Sequence, residues 1–174
     1  SVVQNLIVNG WDESDVGIRV LRGDVTMRRV HIRGFRRYGV RAGPGDGTFA
    51  EGSIEGCGVD GLSAAGGRWT IQSSRFSRNG DDGVDLFKAN SSIAASCIFD
   101  ENGDAAVELS ICRDVRLIGN FSKGHRVTCA SRLGDLPSRF SGNRLADRAF
   151  LEKRGEPPVA DWAELERRTD KTNI

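Results

Sequence analysis

A short motif recurs along the chain at an almost constant spacing. In each copy a small residue is followed by an apolar residue, any residue and a second apolar residue. Five copies occupy residues 17–20, 39–42, 61–64, 83–86 and 106–109, and a weaker sixth follows at 127–129. Their small residues are 22, 22, 22 and 23 positions apart. A repeat of this length predicts a solenoid, in which each turn of the chain stacks on the one before it.

The residues between the copies are typical of short β-strands. Gly is abundant, with 22 residues, and each repeat contains two or three short runs in which apolar residues alternate. Alternation with a period of two, bounded by Gly, Asn and Asp, predicts strands joined by turns. Leucine-rich repeats have a similar length, but their LxxLxLxxN pattern is absent. The pattern therefore predicts a parallel β-helix with three strands in each turn.

The repeat also predicts which side chains fill the interior of the three strand columns. In the first column we expect Ile18, Val40, Leu62, Val84, Val107 and Val127, and two positions later Val20, Ala42, Ala64, Leu86, Leu109 and Cys129. In the second we expect Val8, Ile32, Ile54, Phe76, Phe99, Phe121 and Phe140, with the four phenylalanines stacked on one another. In the third we expect Val25, Met27, Trp69, Ile71, Ile93, Ala95, Val115 and Leu117.

Two segments of this repeat resemble those of a known group of proteins. The segments NGDDGVDL and NGDAAVEL, at 79–86 and 102–109, each follow an AxxSxFxxNG-like run. They are similar to the repeats of right-handed, pectate-lyase-like β-helix proteins, which include pectin and alginate lyases, polygalacturonases, mannuronan epimerases and phage tailspikes. The resemblance covers residues 1–143. It implies an all-β, single-stranded, right-handed parallel β-helix of about six coils.

The last part of the chain, residues 144–174, departs from the repeat and is expected to form a separate tail. Glu156 is followed by two prolines, which interrupt any regular element. Asp161 is placed to cap a short helix from Trp162 to Arg168. Because a solenoid needs its open end covered, we expect this helix to be a cap, with a linker as the alternative.

Composition excludes few functions. The formal net charge is +1, so the overall charge does not call for a nucleic acid partner, and no apolar run is long enough to span a membrane. The four cysteines form no CxxC pair, which argues against zinc, and we expect them to be buried thiols. The compartment stays open, with an extracellular or periplasmic location favoured.

Acidic and basic residues gather on the outward side of the first column. One predicted outward row reads Arg19, Arg41, Ser63, Asp85, Glu108 and Thr128. A second row reads Asp81, Asp104 and His125, and beside it lie Asp60 and Asp82, followed by Ala105 and Arg126. Since neighbouring coils are about 5 Å apart, stacked carboxylates repel, and either one of them keeps its proton or the group binds a cation.

Both outcomes have a chemical use. The candidate catalytic residues are Asp81, Asp82, Asp85, Asp104, Glu108 and His125, which would supply general acids and bases. The candidate substrate-binding residues are Arg19, Arg41, Lys88 and Arg126, and Asp85 and Glu108 are candidate ligands for Ca²⁺, the one cofactor considered. The alternative for Asp60, Asp82 and Asp104 is turn capping, because Asp before Gly commonly bonds the local backbone.

The resemblance implies a carbohydrate-related function, and three hypotheses follow. The first is an enzyme, a lyase, epimerase or hydrolase, acting on an acidic polysaccharide; Asp60 and the pair Asp81 and Asp82 match part of the polygalacturonase arrangement, whereas His125 arrives one coil late. The second is a non-catalytic module for glycan binding or protein–protein interaction, as in adhesion, tailspike or scaffold proteins. The third, compatible with both, is a homo-oligomer or a building block of a larger chain.

Overall fold

The chain winds into a right-handed parallel β-solenoid of about seven turns, one more than expected. The computed structural model describes residues 1–132, 137, 139–147, 149–153, 156, 159 and 164. Its strands are β1 Val2–Asn9, β2 Val16–Val20, β3 Val25–Arg33, β4 Tyr38–Ala42, β5 Gly47–Ala50, β6 Ser53–Glu55, β7 Leu62–Ala65, β8 Trp69–Gln72, β9 Arg75–Ser77, β10 Val84–Phe87, β11 Ile93–Ala95, β12 Ile98–Asp100, β13 Ala105–Ser110, β14 Arg116–Ile118, β15 Phe121–Lys123, β16 Val127–Arg132, β17 Arg139–Ser141, β18 Arg144–Ala146 and β19 Leu151–Lys153.

These strands form the three predicted columns. The first column is a seven-stranded parallel sheet in the order β2, β4, β7, β10, β13, β16 and β19. The second and third columns belong to one twelve-stranded sheet, because the long strands β1 and β3 run through both of them. A residue with positive φ marks the boundary between the two columns. Asn5 and Arg29 lie within β1 and β3, whereas Glu51, Ser73 and Ser96 separate the strands of the later coils.

The 22-residue spacing of the motif is set by close contact between coils. Ile18, Val40, Leu62, Val84 and Val107 lie opposite one another as predicted. In these coils, the small residue that precedes this apolar residue packs against a backbone carbonyl of the next coil. A Cβ at Gly61 would lie 2.6 Å from the carbonyl oxygen of Gly83, and one at Gly83 would lie 2.7 Å from that of Ala106. Larger side chains are therefore excluded at these positions of the repeat.

The second column follows the prediction only as far as Phe99. Ile32, Ile54, Phe76 and Phe99 are buried and aligned, and the rings of Phe76 and Phe99 stack with centroids 5.4 Å apart. The residue opposite Phe99 in the next coil is Ser122, whereas Phe121 pairs with Ile98 and Phe140 with Leu117. The four-ring stack was therefore wrong. The third ring in contact is Phe49 of the third column, whose centroid lies 5.6 Å from that of Phe76 with the ring planes tilted by 47°.

The third column reveals where the repeat lengthens. Phe87 lies opposite Ala65, 22 residues earlier, but Ile93 lies opposite Thr70, 23 residues earlier. The extra residue therefore lies in the turn between β10 and β11. As a result Ala94 is the buried residue of β11, and the assignment of Ile93 and Ala95 to the interior was wrong by one position.

The register shifts again before β16. Cys129 lies opposite Val107 and Val127 opposite Ala105, so each of the two residues sits two positions earlier along the strand than predicted. The turn before β16 is one residue shorter than the turn before β13, which the motif alone does not show. The outward row consequently continues from Glu108 to Ala130 and Glu152, not to Thr128.

Paired strands continue beyond residue 143. Strand β18 pairs with β15, and β19 pairs with β16, so the ladder extends to Lys153. Val159 then returns to Leu151 as an antiparallel bridge. Glu164 is helical, but the rest of the predicted helix from Trp162 to Arg168 lies outside the described residues.

All four cysteines, Cys57, Cys97, Cys112 and Cys129, are buried free thiols, as predicted. Among the described residues, no helix has the length and apolar character needed to cross a membrane.

Candidate functional site

The predicted acidic residues meet on the first column and on the turn that leads into it. Asp85 of β10 lies directly opposite Glu108 of β13, in the outward row that begins with Arg19 and Arg41. Asp60 and Asp82 lie at the end of the preceding turn in consecutive coils. Asp81 and Asp104 form the neighbouring row, in which Asp104 N–H donates to the carbonyl of Asp81. The coil spacing therefore brings acids from three coils together.

Asp60 and Asp82 each accept a hydrogen bond from the backbone of the next coil. The Asp60 carboxylate accepts a hydrogen bond from the Asp82 N–H at 3.3 Å, and the Asp82 carboxylate accepts one from the Ala105 N–H at 2.8 Å. Both side chains are almost completely buried, with 5% and 3% of their surface exposed. These bonds reach the backbone of the next coil, 22 and 23 residues along the chain, and not the local turn that the capping alternative predicted.

The carboxylates form two overlapping triads. Oxygens of Asp60, Asp81 and Asp82 lie within 4.8 Å of one another, and so do oxygens of Asp82, Asp104 and Glu108. Asp82 belongs to both triads. Glu108, which we expected to face solvent, is buried with 9% exposed, whereas Asp81 is exposed and Asp85 and Asp104 are partly exposed. The cluster therefore has a buried centre at Asp82 and a solvent-facing rim.

This arrangement favours protonated carboxyls. Burial, together with the negative charge of Asp85, raises the pKa of Asp60 from its ordinary value of 3.8 to about 7. Burial, together with Glu108 and Asp60, raises the pKa of Asp82 to about 9. A buried carboxylate loses its hydration and its neighbours repel a second charge, so both effects stabilise the neutral acid. At neutral pH the cluster holds at least one proton, centred on Asp82.

A cation is the other physical solution to the same repulsion. Ca²⁺ takes six to eight oxygen ligands, and the triad of Asp82, Asp104 and Glu108 offers carboxylate oxygens from two adjacent coils. Glu108 of the predicted metal pair belongs to this triad. Asp85, the other member, lies outside both triads, and its carboxylate accepts a hydrogen bond from the Ser63 hydroxyl at 3.2 Å. The donor set suits a hard cation, and one of its three members is the protonated Asp82.

His125 lies in a different row from the one predicted. In the coil after Asp104, the equivalent position of this row is held by Arg126 and not by His125, because the Arg126 N–H donates to the Asp104 carbonyl. His125 instead continues a ladder of buried side chains, in which each accepts a backbone hydrogen bond from the coil before. Asn79 accepts from the Cys57 N–H, Asn102 from the Asn79 N–H, and His125 Nδ1 from the Asn102 N–H, each at 3.1 Å.

The ladder makes His125 a poor candidate for contact with a substrate. Only 2% of its surface is exposed, and its Nε2 is buried with no hydrogen-bond partner among the described residues. The misplacement has a simple source. The prediction matched Lys123 and Gly124 to the corner of Asn102 and Gly103, but Lys123 lies opposite Asp100. His125 therefore aligns with Asn102, two positions before Asp104.

Arg126 joins the cluster to a residue that sequence reasoning missed. Its guanidinium forms ion pairs with both Asp104 and Glu152. Glu152 lies on β19, in the outward row of Asp85 and Glu108, and carrying the 22-residue spacing on from Ala130 would have found it. A cavity of about 470 Å³ lies beside Arg126, and its other lining residues are Gly103, Gly124, Ala146 and the little-exposed His125. The one predicted substrate-binding cation next to the acids is thus already paired with two of them.

The other predicted substrate-binding cations lie along the same face or beside it. Arg41 stands opposite Arg19, and its guanidinium lies 4.8 Å from the centre of the Tyr38 ring. Lys88 follows β10, and its ammonium lies 5.1 Å from the centre of the Phe87 ring. Arg19 and Arg41 therefore extend the acidic row toward the amino-terminal coils as a basic segment, and Lys88 flanks the end of β10.

Comparison with known proteins agrees with this architecture. A family model described as "Right handed beta helix region" matches residues 16–131. None of the curated proteins matches the chain. Among solved structures, the chain is similar to the periplasmic alginate epimerase AlgG, with a TM-score of 0.56 and 12% sequence identity over 87% of this chain. The match covers 39% of the epimerase chain, and at this identity the likeness concerns the fold alone.

Proposed function

The chain belongs to the right-handed β-helix family, and from that premise we propose that it acts on an acidic polysaccharide laid along the outward face of the first column. The observation that carries the proposal is the carboxyl cluster centred on Asp82, in which burial and the surrounding acids raise the pKa of Asp82 to about 9. Paired carboxyls whose environments drive their pKa values apart are the usual source of a general acid and a general base.

Burial divides the roles within the cluster. Asp82 and Asp60 are too deeply buried to touch a polymer, so their part is to hold protons and to set the charge of the rim. Asp81, Asp85 and Asp104 are the acids that a sugar unit reaches. Arg19 and Arg41, on the same outward row, would pair with carboxylates of the polymer. The polymer would thus run across the coils, with basic residues binding it and acidic residues transferring protons.

Proton transfer at a uronate is the reaction class best matched to this site. Lyases and epimerases both remove the hydrogen on the carbon that bears the carboxylate, and they differ in what happens next. The fold neighbour is described as an alginate epimerase, which supports the same substrate class. Hydrolysis remains the other member of the proposed class, since it also needs an acid and a base on either side of the bond.

The experiment is a single NMR assay in D₂O with alginate and polygalacturonate oligosaccharides. Epimerase activity incorporates solvent deuterium at the carbon next to the carboxylate. Lyase activity cleaves the chain and leaves a carbon–carbon double bond in an unsaturated uronate, and hydrolysis generates new reducing ends without a double bond. We expect turnover by the wild-type chain and a loss of at least about tenfold in Asp85→Asn and Asp82→Asn. Glu13→Gln, which alters an exposed acid away from the cluster, should retain full turnover. Full activity in both Asp variants would overturn the proposed role of the cluster.

A non-catalytic glycan-binding module is the second candidate, and one observation favours it. Several charged groups of the site already have partners within the protein. Arg126 pairs with Asp104 and Glu152, and Asp85 accepts a hydrogen bond from the Ser63 hydroxyl. Glycan binding with neither deuterium incorporation nor new reducing ends would establish this candidate in place of the first.

The proposed substrate also bears on location. Acidic polysaccharides are extracellular or envelope polymers, and the fold neighbour is described as periplasmic. An extracellular or periplasmic location therefore forms part of the proposal. Cell fractionation with an antibody against the chain tests it, and a purely cytosolic signal would contradict it.

A further inference from the structure

A second recess lies on the turn between the second and first columns, away from the carboxyl cluster. It has a volume of about 290 Å³, and its walls are formed by Asn9, Trp11, Asp12, Arg33, Glu55 and Arg78. We call it the Trp11 groove. It lies beside the amino-terminal coils, whereas the carboxyl cluster draws its acids from later turns. None of its residues belongs to the site described above.

One wall is an indole held away from the protein interior. Trp11 is 77% exposed. Trp11 and Asp12 both have positive φ, 53° and 56°, a conformation that non-glycine residues adopt only when their surroundings impose it. The turn that imposes it is bonded to the next coil, because the Asp12 N–H donates to the Gly34 carbonyl at 2.9 Å. The backbone thus projects the ring over the groove.

The opposite wall is a row of polar side chains linked in pairs across the coils. Arg33 Nε donates to Asn9 Oδ1 at 2.6 Å, and Arg78 Nη2 donates to Glu55 Oε2 at 2.9 Å. Asn9, Arg33 and Glu55 are successive members of one outward row of the second column. Pairing holds these long side chains in place while leaving further donors and acceptors for a ligand, since a guanidinium has five N–H groups.

The floor of the groove is left open by glycine. Gly34 and Gly56 occupy equivalent corners with φ of 67° and 63°, and Arg78 takes the same conformation at 55° one coil later. A side chain is therefore tolerated at this corner. A Cβ added at Gly56 would meet no heavy atom within 4 Å, so nothing of the protein fills the space above it. The glycines leave room that a ligand can occupy.

The geometry points to a binding subsite for a pyranose unit of a polysaccharide in the Trp11 groove. A sugar ring presents an apolar C–H face suited to an exposed indole, and a rim of hydroxyls that both donate and accept hydrogen bonds. The walls offer both functions, and their two arginines and two acids leave no net charge. The volume lies near the lower end of the ~300–1,000 Å³ typical of ligand sites, which suits a short segment of polymer.

This inference deepens the proposed function and rests on it for the choice of a polysaccharide as ligand. The subsite would hold the polymer near the basic residues of the amino-terminal coils while a later segment reaches the acids. Because the walls are neutral overall, either a uronate or a neutral hexose fits the groove, and the experiment distinguishes these two kinds of sugar.

The test is calorimetric titration of the full chain with three probes: alginate oligosaccharides, oligogalacturonides and cello-oligosaccharides. We expect at least one of them to bind. Trp11→Ala should weaken that binding by about tenfold or more, and Trp11→Phe, which keeps an aromatic face, by less. Leu21→Ala is the matched control, because Leu21 is equally exposed at 78% but lies outside the groove. The probe that binds most tightly identifies the sugar.

Two outcomes would overturn the subsite: no binding of any probe, or equal affinities for the wild type and Trp11→Ala. Its failure is separable from failure of the proposed function. Binding that is lost in Trp11→Ala but retained in Asp82→Asn, with no turnover in D₂O, supports the groove without catalysis. Turnover that is unchanged in Trp11→Ala, together with unchanged affinity, supports the carboxyl cluster and removes the groove.

Discussion

At the scale of single residues, the feature with the largest consequence is the burial of Asp82 among other acids. Asp82 links two coils by accepting a hydrogen bond from the Ala105 N–H, yet burial at the same position raises its pKa to about 9. An asparagine side chain at this position would accept the same backbone hydrogen bond and would have no proton to lose. An acid retained in such a place therefore costs stability at neutral pH, which is common where a site is organised for chemistry.

The pH dependence of stability follows from the direction of these shifts. The folded state holds the Asp82 proton more tightly than the unfolded chain, whose ordinary pKa is 3.8. The corresponding stability is fully present below about pH 4 and is lost as the pH rises through about 9, by up to about 1.4 kcal/mol for each pH unit. Asp60 contributes the same behaviour up to about pH 7.

We therefore predict that Asp82→Asn raises the melting temperature at pH 8 and flattens its decline with pH. The amide keeps an oxygen for the Ala105 N–H and has no proton to lose. Thermal denaturation of the wild type and the variant at several pH values between about 5 and 9 measures this. Glu13→Gln should follow the wild-type curve. Parallel curves for wild type and Asp82→Asn would show that Asp82 ionises normally in the folded protein.

His125 provides a second prediction at the residue scale. It occupies the position that asparagine holds in the two preceding coils, with Nδ1 accepting the Asn102 N–H. His125→Asn should preserve both melting temperature and any turnover, because an amide oxygen replaces Nδ1. His125→Leu should lower stability by about 1–3 kcal/mol, since the buried Asn102 N–H loses its acceptor. Turnover abolished in a stable His125→Asn variant would assign the imidazole a chemical role instead.

At the scale of the strand and its turn, the coil-to-coil contact at the small residue sets the repeat. Gly83 lies under the carbonyl of Ala106, and its Cβ position is also 2.9 Å from Asn102 Nδ2 of the buried ladder. Turns, by contrast, absorb length changes without disturbing the strands. The extra residue between β10 and β11 leaves Asp85 opposite Glu108. The strands are therefore the rigid units, and the turns are where insertions are tolerated.

Gly83→Val is predicted to destabilise the solenoid by about 1–3 kcal/mol or more, because the added atoms force the next coil away. Chemical denaturation monitored by far-UV circular dichroism measures the change. Thr70→Val is the matched control: it introduces the same side chain on the outward side of β8, where Thr70 is partly exposed. Equal stability of the two variants would mean that the coils separate easily and that the repeat is not set by this contact.

At the scale of the whole molecule, much of the architecture is visible in the sequence because the repeat reflects a physical spacing. The first column from Ile18 to Val107 and the second from Ile32 to Phe99 follow directly from it. The later coils do not, because a turn one residue longer or shorter leaves the motif recognisable while shifting everything after it. The Phe121 and His125 assignments failed for this reason.

The candidate site was likewise predictable from the sequence only in part. Rows of acids on the first column follow from the alternation of side chains, so Asp85 and Glu108 could be placed opposite one another. The burial of Asp60, Asp82 and Glu108 could not, because it depends on how successive turns pack over the column. Burial is what turns a row of surface charges into a group that holds a proton.

The central claim is that this buried cluster carries a proton near neutral pH. Carbon-13 NMR of the side-chain carboxyls, titrated from about pH 3 to pH 10 with Asp60→Asn and Asp82→Asn used for assignment, tests it most directly. We predict that the Asp60 and Asp82 resonances titrate near pH 7 and pH 9, well above the ordinary aspartate pKa of 3.8. Titration of both residues near pH 4 would contradict the account, because the cluster would then be a row of ordinary surface carboxylates.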